Sequence, residues 1–456
     1  MPVNTFEDHP LPWTPPRTPV EGPVYLAIAA AIEEDILSGA LSAGAKLPPQ
    51  RELADFLDID FTTVTRAYNV CREKGLVYGV TGRGTFVASH PACGEGAGAV
   101  DCGVVQAFPE TGAREMLDAA RDVISRPSSA GLFSYRERDG SAFARSAGLA
   151  WLHRNGVDAK ASQMAVFPGA QGALSAVLLS LFKVGDCVAV DEFTYANFIS
   201  LARLARLRLV PVPSDEEGMS PDALEEAARK HRAKGVFLMP HCANPTARTL
   251  SARRMDALAD VAAGCGLLAI EDDARLSLPA KGERTLFARL PGRTVHISGT
   301  TRYIAGGLRA TFMAFPEKHA RKVLDALHHL AIKAGALDAE ILAETVASGR
   351  AARILAAKAA KAREANRIFD GVFPGAPRSD GEALFRRLPL PGTYGRGVEI
   401  ERLCREGGVA VCHSDRFCVR PGSKDSFLRV SLSSAPSRSS LRHALESLAG
   451  VLSAMP

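Results

Sequence analysis

The 456-residue chain has no apolar run near the ~20 residues that cross a bilayer; its most apolar stretches, such as Leu174 to Phe182, fall well short. A membrane-spanning helix is therefore excluded. Cysteine is scarce, nine in all, odd in number and without a Cys-x-x-Cys pair, which argues against a disulfide framework and a structural zinc site and predicts buried thiols. No metal site is expected. An excess of one charge is nearly absent, since 55 Lys and Arg face 50 Asp and Glu; a net +5 is too mild to announce a nucleic-acid binder by itself. Aromatics make up only 6%, but 46% hydrophobic and 23% charged residues are the proportions of a soluble globular protein. The first residues, Met1-Pro-Val-Asn-Thr-Phe-Glu-Asp8, lack the basic and apolar regions of a secretory signal, so a cytoplasmic protein is expected. At ~150 residues per domain the length calls for two or three domains.

Residues 1–20 are Pro-rich and polar and read as an extended arm. Beyond them Ile28, Ile32 and Ile36 mark one face of a first helix. Pro48-Pro49 opens a second, Gln50 to Leu57, and Asp60 can cap a third in which Val64, Ala67, Tyr68 and Cys71 form the inward stripe. That stripe leaves Thr62, Thr63, Arg66 and Asn69 on or near the outward face, donors suited to phosphates and base edges. Leu76 to Val80 and Thr85 to Val87 then flank Thr81-Gly-Arg-Gly84, a hairpin with an arginine at its tip. Three helices and a basic-tipped hairpin make a winged helix-turn-helix over residues 20–88. Residues 21–90 hold six basic against nine acidic residues, yet from Phe61 to Ser89 the balance is Arg66, Arg72, Lys74 and Arg83 against Glu73 alone. Positive charge thus lies on the helix and wing that would face DNA.

Leu47-Pro-Pro-Gln-Arg-Glu-Leu-Ala54, Thr62-Thr-Val64, Ala67-Tyr68, Gly75-Leu76 and Gly82-Arg-Gly-Thr-Phe-Val87 together resemble the DNA-binding domain of GntR-family regulators. The resemblance implies that Arg51, Thr62, Thr63, Thr65 and Arg66 contact double-stranded operator DNA. It also implies that Gly82, Arg83 and Gly84 lie in the minor groove or on its phosphates. Phe61 departs from the family, which often has a polar or basic residue there, and leaves the base preference open.

A Gly- and Pro-rich connector is expected over 89–112, followed by a second domain over 113–456 with a large part near 150–315 and a small part near 316–456. Strand-like runs (Met164 to Phe167, Cys187 to Val190, Gly235 to Met239, Leu267 to Ile270, Thr294 to Ile297) alternate with amphipathic segments. The pattern predicts an α/β fold, a mostly parallel sheet with helices on both faces, whose ligands sit at strand C-terminal ends. Those ends carry Pro168-Gly-Ala-Gln-Gly172, a turn into a helix that could hold a phosphate or simply start the helix. They also carry Tyr195, a ring stacker or an ordinary loop aromatic, then His241 to Thr246, and Glu271-Asp-Asp273, which could bind a protonated ring nitrogen or cap a turn. Last come Ser298 to Arg302 and Gly306-Gly-Leu-Arg309.

In this order the set resembles a fold-type I, pyridoxal-phosphate-dependent aminotransferase, and nearly the whole chain resembles the MocR subfamily of GntR regulators. The resemblance places Gly169, Ala170, Gln171 and Arg309 at the cofactor phosphate and Tyr195 on its ring. It gives Asn244 to the ring O3′ and Asp272 to the pyridinium nitrogen. Tyr135 would reach the neighbouring subunit's phosphate in a head-to-tail homodimer, and Arg429 would clamp a ligand carboxylate, though on its own it reads equally as a surface residue. Two positions depart. Arg302 occupies the place of the lysine that attaches the cofactor, and arginine stays protonated and cannot form that bond. Ala274 occupies the place of a tyrosine. Either Arg302 holds an anionic ligand or the cofactor noncovalently, or the site has exchanged the cofactor for a carboxylated effector, or the substitution is not native. The expected function is a DNA-binding transcriptional regulator, not an enzyme, that senses a small amino or amine metabolite with or without pyridoxal phosphate. The alternatives are an aminotransferase with an accessory DNA-binding module and a cofactor-free sensor.

Overall fold

A computed structural model describes residues 11–15, 23–37, 40–41, 45–73, 76–80, 84–87, 99–135, 139–273, 275–276, 284–379, 381–390, 397–420 and 425–455. The chain divides into two compact units, Met1–Ala99 and Val100–Pro456.

In the first unit α1 (Val24–Leu37), α2 (Gln50–Leu57) and α3 (Phe61–Glu73) precede an antiparallel hairpin of β1 (Val77–Val80) and β2 (Gly84–Val87). Ile28 and Ile32 of α1 and Val64, Ala67, Tyr68 and Cys71 of α3 are buried together with Leu53 and Ala54 of α2, as a 3.6-residue period requires. Asp60 accepts the Thr62 N–H at 2.7 Å and so caps α3. The Tyr68 hydroxyl donates to the Pro48 carbonyl at 2.9 Å and ties α3 to the turn before α2. Segment 45–47 extends the hairpin: Leu47 donates to the Thr85 carbonyl and Val87 to that of Ala45. The expected N-terminal arm is pinned at Trp13, which is buried in this core and donates from Nε1 to Asp35 at 2.6 Å. Burying an indole offsets the entropy of ordering a short Pro-rich segment.

The expected connector does not run to residue 112. β3 (Val100–Asp101) pairs in parallel with Val409–Ala410 and Cys102 is fully buried, so residues 100–112 belong to the second unit; residues 88–98 lie outside the described residues. The chain continues through α4 (Ala113–Ile124), α5 (Ala142–Arg154), β4 (Met164–Phe167), α6 (Gly169–Leu181), β5 (Cys187–Asp191), α7 (Ala196–Leu204) and β6 (Arg208–Val212). A short pair, β7 (Ser214–Asp215) and β8 (Gly218–Met219), leads to α8 (Pro221–His231), β9 (Gly235–Leu238), α9 (Ala252–Gly264) and β10 (Leu268–Asp273). Then come α10 (Leu286–Arg289), β11 (Thr294–Ser298), α11 (Thr300–Tyr303), β12 (Thr311–Ala314) and α12 (Ala320–Ala331).

Seven strands form one sheet in the order β4-β12-β11-β10-β9-β5-β6, all parallel except β12. Leu174, Val177, Val323 and Leu327 cover one face and Leu224, Leu258 and Ala262 the other, which is why the strands read as continuous apolar runs. From β5 the chain moves to one edge (β6), and from β9 toward the other (β10, β11). The C-terminal ends of β5 and β9 therefore border the crevice where such sheets bind ligands.

α13 (Ala336–Ala347) and α14 (Arg350–Val372) lead to β13 (Phe385–Pro389), α15 (Gly397–Glu406), β14 (Val409–Ala410), β15 (Cys412–His413), β16 (Phe427–Ser431) and α16 (Arg438–Ala454). β13, β16 and β15 form a separate antiparallel sheet. The small part expected from about 316 starts later, because α12 packs Val323 and Leu327 under the large sheet, whereas α14 passes Ala365 and Phe369 into the smaller core. Among the described residues no helix is long and apolar enough to cross a membrane.

Candidate functional site

In the first unit Arg51, Thr62 and Arg66 are exposed, and Thr63 and Thr65 half-buried, along α2 and the outward side of α3. The Thr65 hydroxyl donates to Gln50 Oε1 and to the Phe61 carbonyl, both at 3.0 Å, so it braces α2 against α3. Gly82 and Arg83 lie outside the described residues. Gly84 has φ +117°, and a Cβ there would come within 2.9 Å of the Lys46 side chain. Lys46 thus lies along the wing, an exposed cation that sequence reading passed over because it precedes the first recognised motif.

In the second unit β4 ends at Phe167 and the chain turns through Pro168 and Gly169, φ +71°, into α6. A Cβ on Gly169 would meet Arg309 Nη2 at 2.7 Å and Cζ at 3.0 Å, so only glycine admits this guanidinium. Among the described residues no side chain caps α6. Its first-turn N–H groups, those of Ala170 and Gln171 among them, and Arg309 form a cradle for an anion.

Asp272 is 3% exposed on β10, between Glu271 and Asp273. Strand alternation sends Asp272 to the face of Ile270, where Tyr195 and α6 pack, and its neighbours to the other. There Glu271 accepts the N–H groups of Leu286 and Phe287 and pairs with His296 Nδ1 at 2.8 Å. Asp273 pairs with His241 Nδ1 at 2.7 Å and with Arg275 at 2.9 Å. Burial alone would raise the Asp273 carboxyl; the His241 and Arg275 charges outweigh it and hold the group far below the usual carboxylate range.

Tyr195 stands half-buried at the start of α7 after β5, its hydroxyl accepting from Asn197 Nδ2 at 3.1 Å. Asn244 is buried after β9, and its Oδ1 accepts from Arg429 Nη1 at 3.0 Å. Arg429 is 7% exposed on β16 and so is not a surface residue. Its guanidinium lies 4.7 Å from the Phe417 ring centroid and donates to the Gly103 carbonyl. Gly103 and Phe417 went unpredicted: one sat in an expected connector, the other in no motif. Asp191, at the end of β5, was also missed; burial lifts its carboxyl to about 6 against the Ser214 hydroxyl bond at 2.8 Å and the Arg248 charge, which lower it.

Arg302 lies on the one-turn helix α11 after β11; Ala274 lies outside the described residues. Tyr135 is 84% exposed on the loop before α5, outside this chain's own crevice. A lysine amine does reach the end of α11: buried Lys358 donates from Nζ to the Ile304 carbonyl at 3.0 Å, and burial lowers it to about 8. Ile304 lines a cavity of about 20 Å³ with Asp273 and His296, on the opposite side of β10 from Asp272. The residues therefore fit a phosphorylated pyridine held noncovalently: a cradle for phosphate, an aromatic, an amide and a buried carboxylate on one face. They do not fit covalent attachment at position 302. Among the described residues no cluster could hold a metal ion.

The model of bacterial regulatory proteins of the gntR family matches residues 24–87, and that of class I and II aminotransferases residues 107–274. The HTH-type transcriptional regulator YdeF of Bacillus subtilis is 31% identical over 442 residues, 95% of each chain. PtsJ of Salmonella typhimurium, a vitamin B6 salvage pathway transcriptional repressor, is 30% identical over 250 residues, 54% of this chain and 56% of PtsJ. An archaeal alanine:glyoxylate aminotransferase superposes with a TM-score of 0.71 at 22% identity, over 78% of this chain and 91% of that one. The second unit thus has the fold-type I aminotransferase fold. The chain belongs to the MocR subfamily of GntR-family transcriptional regulators, with a DNA-binding winged helix followed by an aminotransferase-like domain.

Proposed function

We propose that the aminotransferase-like unit is a sensor without turnover: it binds a small amino or amine metabolite, with pyridoxal phosphate held noncovalently, and ligand binding changes how a head-to-tail dimer presents its winged units to operator half-sites. Pyridoxal phosphate, when bound, supplies an electron-withdrawing ring and an aldehyde. Arg309 and the first turn of α6 would hold its phosphate, Tyr195 its ring face, Asp272 its protonated nitrogen and Asn244 its O3′. Arg429, fixed by Phe417 and the Gly103 carbonyl, would take the metabolite's carboxylate. Arg302 keeps its proton, so it can donate to an oxygen of the ligand but cannot take up a proton as a base. The observation that carries this reading is the approach of Arg309 to Gly169 at an uncapped helix start, combined with arginine at the attachment position. Exposed Leu117, Ile124, Phe133 and Tyr135, on or beside α4 and the loop before α5, support the dimer and the reach of Tyr135 to a partner's phosphate. The name of PtsJ supports a vitamin B6 compound as part of the signal.

The second reading, a sensor that has exchanged the cofactor for a carboxylated effector, is favoured by the same Arg302. A titration with pyridoxal phosphate, read by absorbance and calorimetry in wild type and Arg302→Lys, separates them. Saturable binding by wild type without a Schiff-base band, with a band in the variant, supports noncovalent sensing. No heat and no spectral change in wild type overturns it in favour of the second reading.

A further inference from the structure

Phe61 opens α3 and is 42% exposed, while Val64, Ala67, Tyr68 and Cys71 of the same helix fill the core. Core packing therefore does not account for a phenyl ring at this position. Its neighbour is Arg51 of α2, whose guanidinium carbon lies 5.8 Å from the ring centroid, within cation–π range. Among the described residues this stack is the one interaction Arg51 makes, so its N–H donors are left for a ligand. Of the other polar groups of this turn, the Thr62 hydroxyl is engaged with Asp60 and the Thr65 hydroxyl with Gln50 and the Phe61 carbonyl. The leading edge of the recognition helix thus presents one planar cation and one apolar ring, side by side.

The residues N-terminal on a recognition helix are those that meet base edges in the major groove. There arginine is matched by guanine O6 and N7, and an apolar ring by the C5-methyl group of thymine. We infer that Phe61 and Arg51 act as a paired reader, Phe61 packing on a thymine methyl and Arg51 binding a guanine, with the stack setting their spacing. The 5.8 Å separation, against a rise of about 3.4 Å per base pair, puts the two bases one or two steps apart. The assignment rests on DNA binding through α3.

Full-length protein is used to enrich duplexes from a random-sequence pool, and each thymine of the best-bound duplex is replaced in turn by deoxyuridine, which removes only the methyl group. Wild type is expected to lose about fourfold in affinity at one thymine of each half-site, the effect of one buried methyl. A guanine one or two steps away should be sensitive to replacement by 7-deazaguanine, which lacks N7. Phe61→Ser should bind the thymine duplex more weakly and be indifferent to deoxyuridine there, and Phe61→Leu should keep part of the sensitivity. Wild type insensitive at every thymine, or Phe61→Ser as sensitive as wild type, overturns the paired reader and leaves DNA binding standing. A pool from which no sequence is preferred overturns sequence-specific binding by this unit and the inference with it.

Discussion

In the first unit the groups proposed to meet DNA within α2, α3 and the segment before them come from one short stretch, residues 46–66, and stand at the surface: Lys46, Arg51, Thr62 and Arg66. In the second the groups proposed to hold a ligand come from segments as far apart as Gly169 and Arg429, and several are buried, among them Asn244, Asp272 and Arg429. The difference suits the proposed ligands. A DNA backbone is met by a convex, solvated, cationic edge, where each contact adds a modest amount and is screened by salt. A small metabolite has to be enclosed, so its polar partners lose water and must be held in place by other polar groups. Loss of one group should therefore be graded in the first unit and severe in the second.

The largest effect is expected from Gly169→Val. A β-branched side chain at φ +71° is strained, and its Cβ displaces Arg309 from the cradle. Loss of one charge-assisted contact on top of that strain should weaken pyridoxal phosphate binding about a hundredfold or more by calorimetry. Affinity within threefold of wild type would remove the cradle from the reading. Smaller effects are expected in the first unit: Lys46→Ala and Arg66→Ala should each weaken operator binding several-fold and each reduce the slope of log affinity against log salt by about one, as loss of a phosphate contact does. An unchanged slope in both would mean that neither cation meets the backbone.

The smallest effect concerns Asp191. Its carboxyl titrates near 6 in the folded chain and near 3.8 unfolded, so the native state keeps a proton that the unfolded chain releases. The stability this contributes is present below 3.8 and lost as pH rises through 6. Asp191→Asn keeps an acceptor for Ser214 and removes the titration. Relative to wild type its melting temperature should therefore rise between pH 5 and pH 7.5, by about 1–3 °C. A difference between the proteins that is the same at both pH values would contradict a carboxyl that holds its proton up to about pH 6.

Much was legible without coordinates because local rules govern it. The α1 and α3 stripes, the Asp60 cap and the glycine turn into α6 depend on neighbours three or four residues away, and period and capping chemistry reveal those. The arginine at position 302 was visible for the same reason, as one letter at a set distance from Gly307-Leu-Arg309. Lys46, Gly103, Phe417 and Asp191 were not, since each acquires its place from a partner far along the chain: the wing strand for Lys46, Arg429 for Gly103 and Phe417, Ser214 and Arg248 for Asp191. The early end of the connector belongs with them, because two residues at 100–101 form a strand only when 409–410 lies alongside.

By itself, then, the sequence determined the helices and hairpin of the first unit, the five apolar strands of the second and the chemical groups at those strands' ends, since these follow from periodicity and from the turns glycine and proline permit. Tertiary structure decided which of those groups share a face. Strand alternation turns Asp272 toward Tyr195 and α6 and sends Glu271 and Asp273 to the opposite side, and the packing of β16 buries Arg429 against Asn244. Those placements depend on long-range register and burial, which spacing along a chain does not encode.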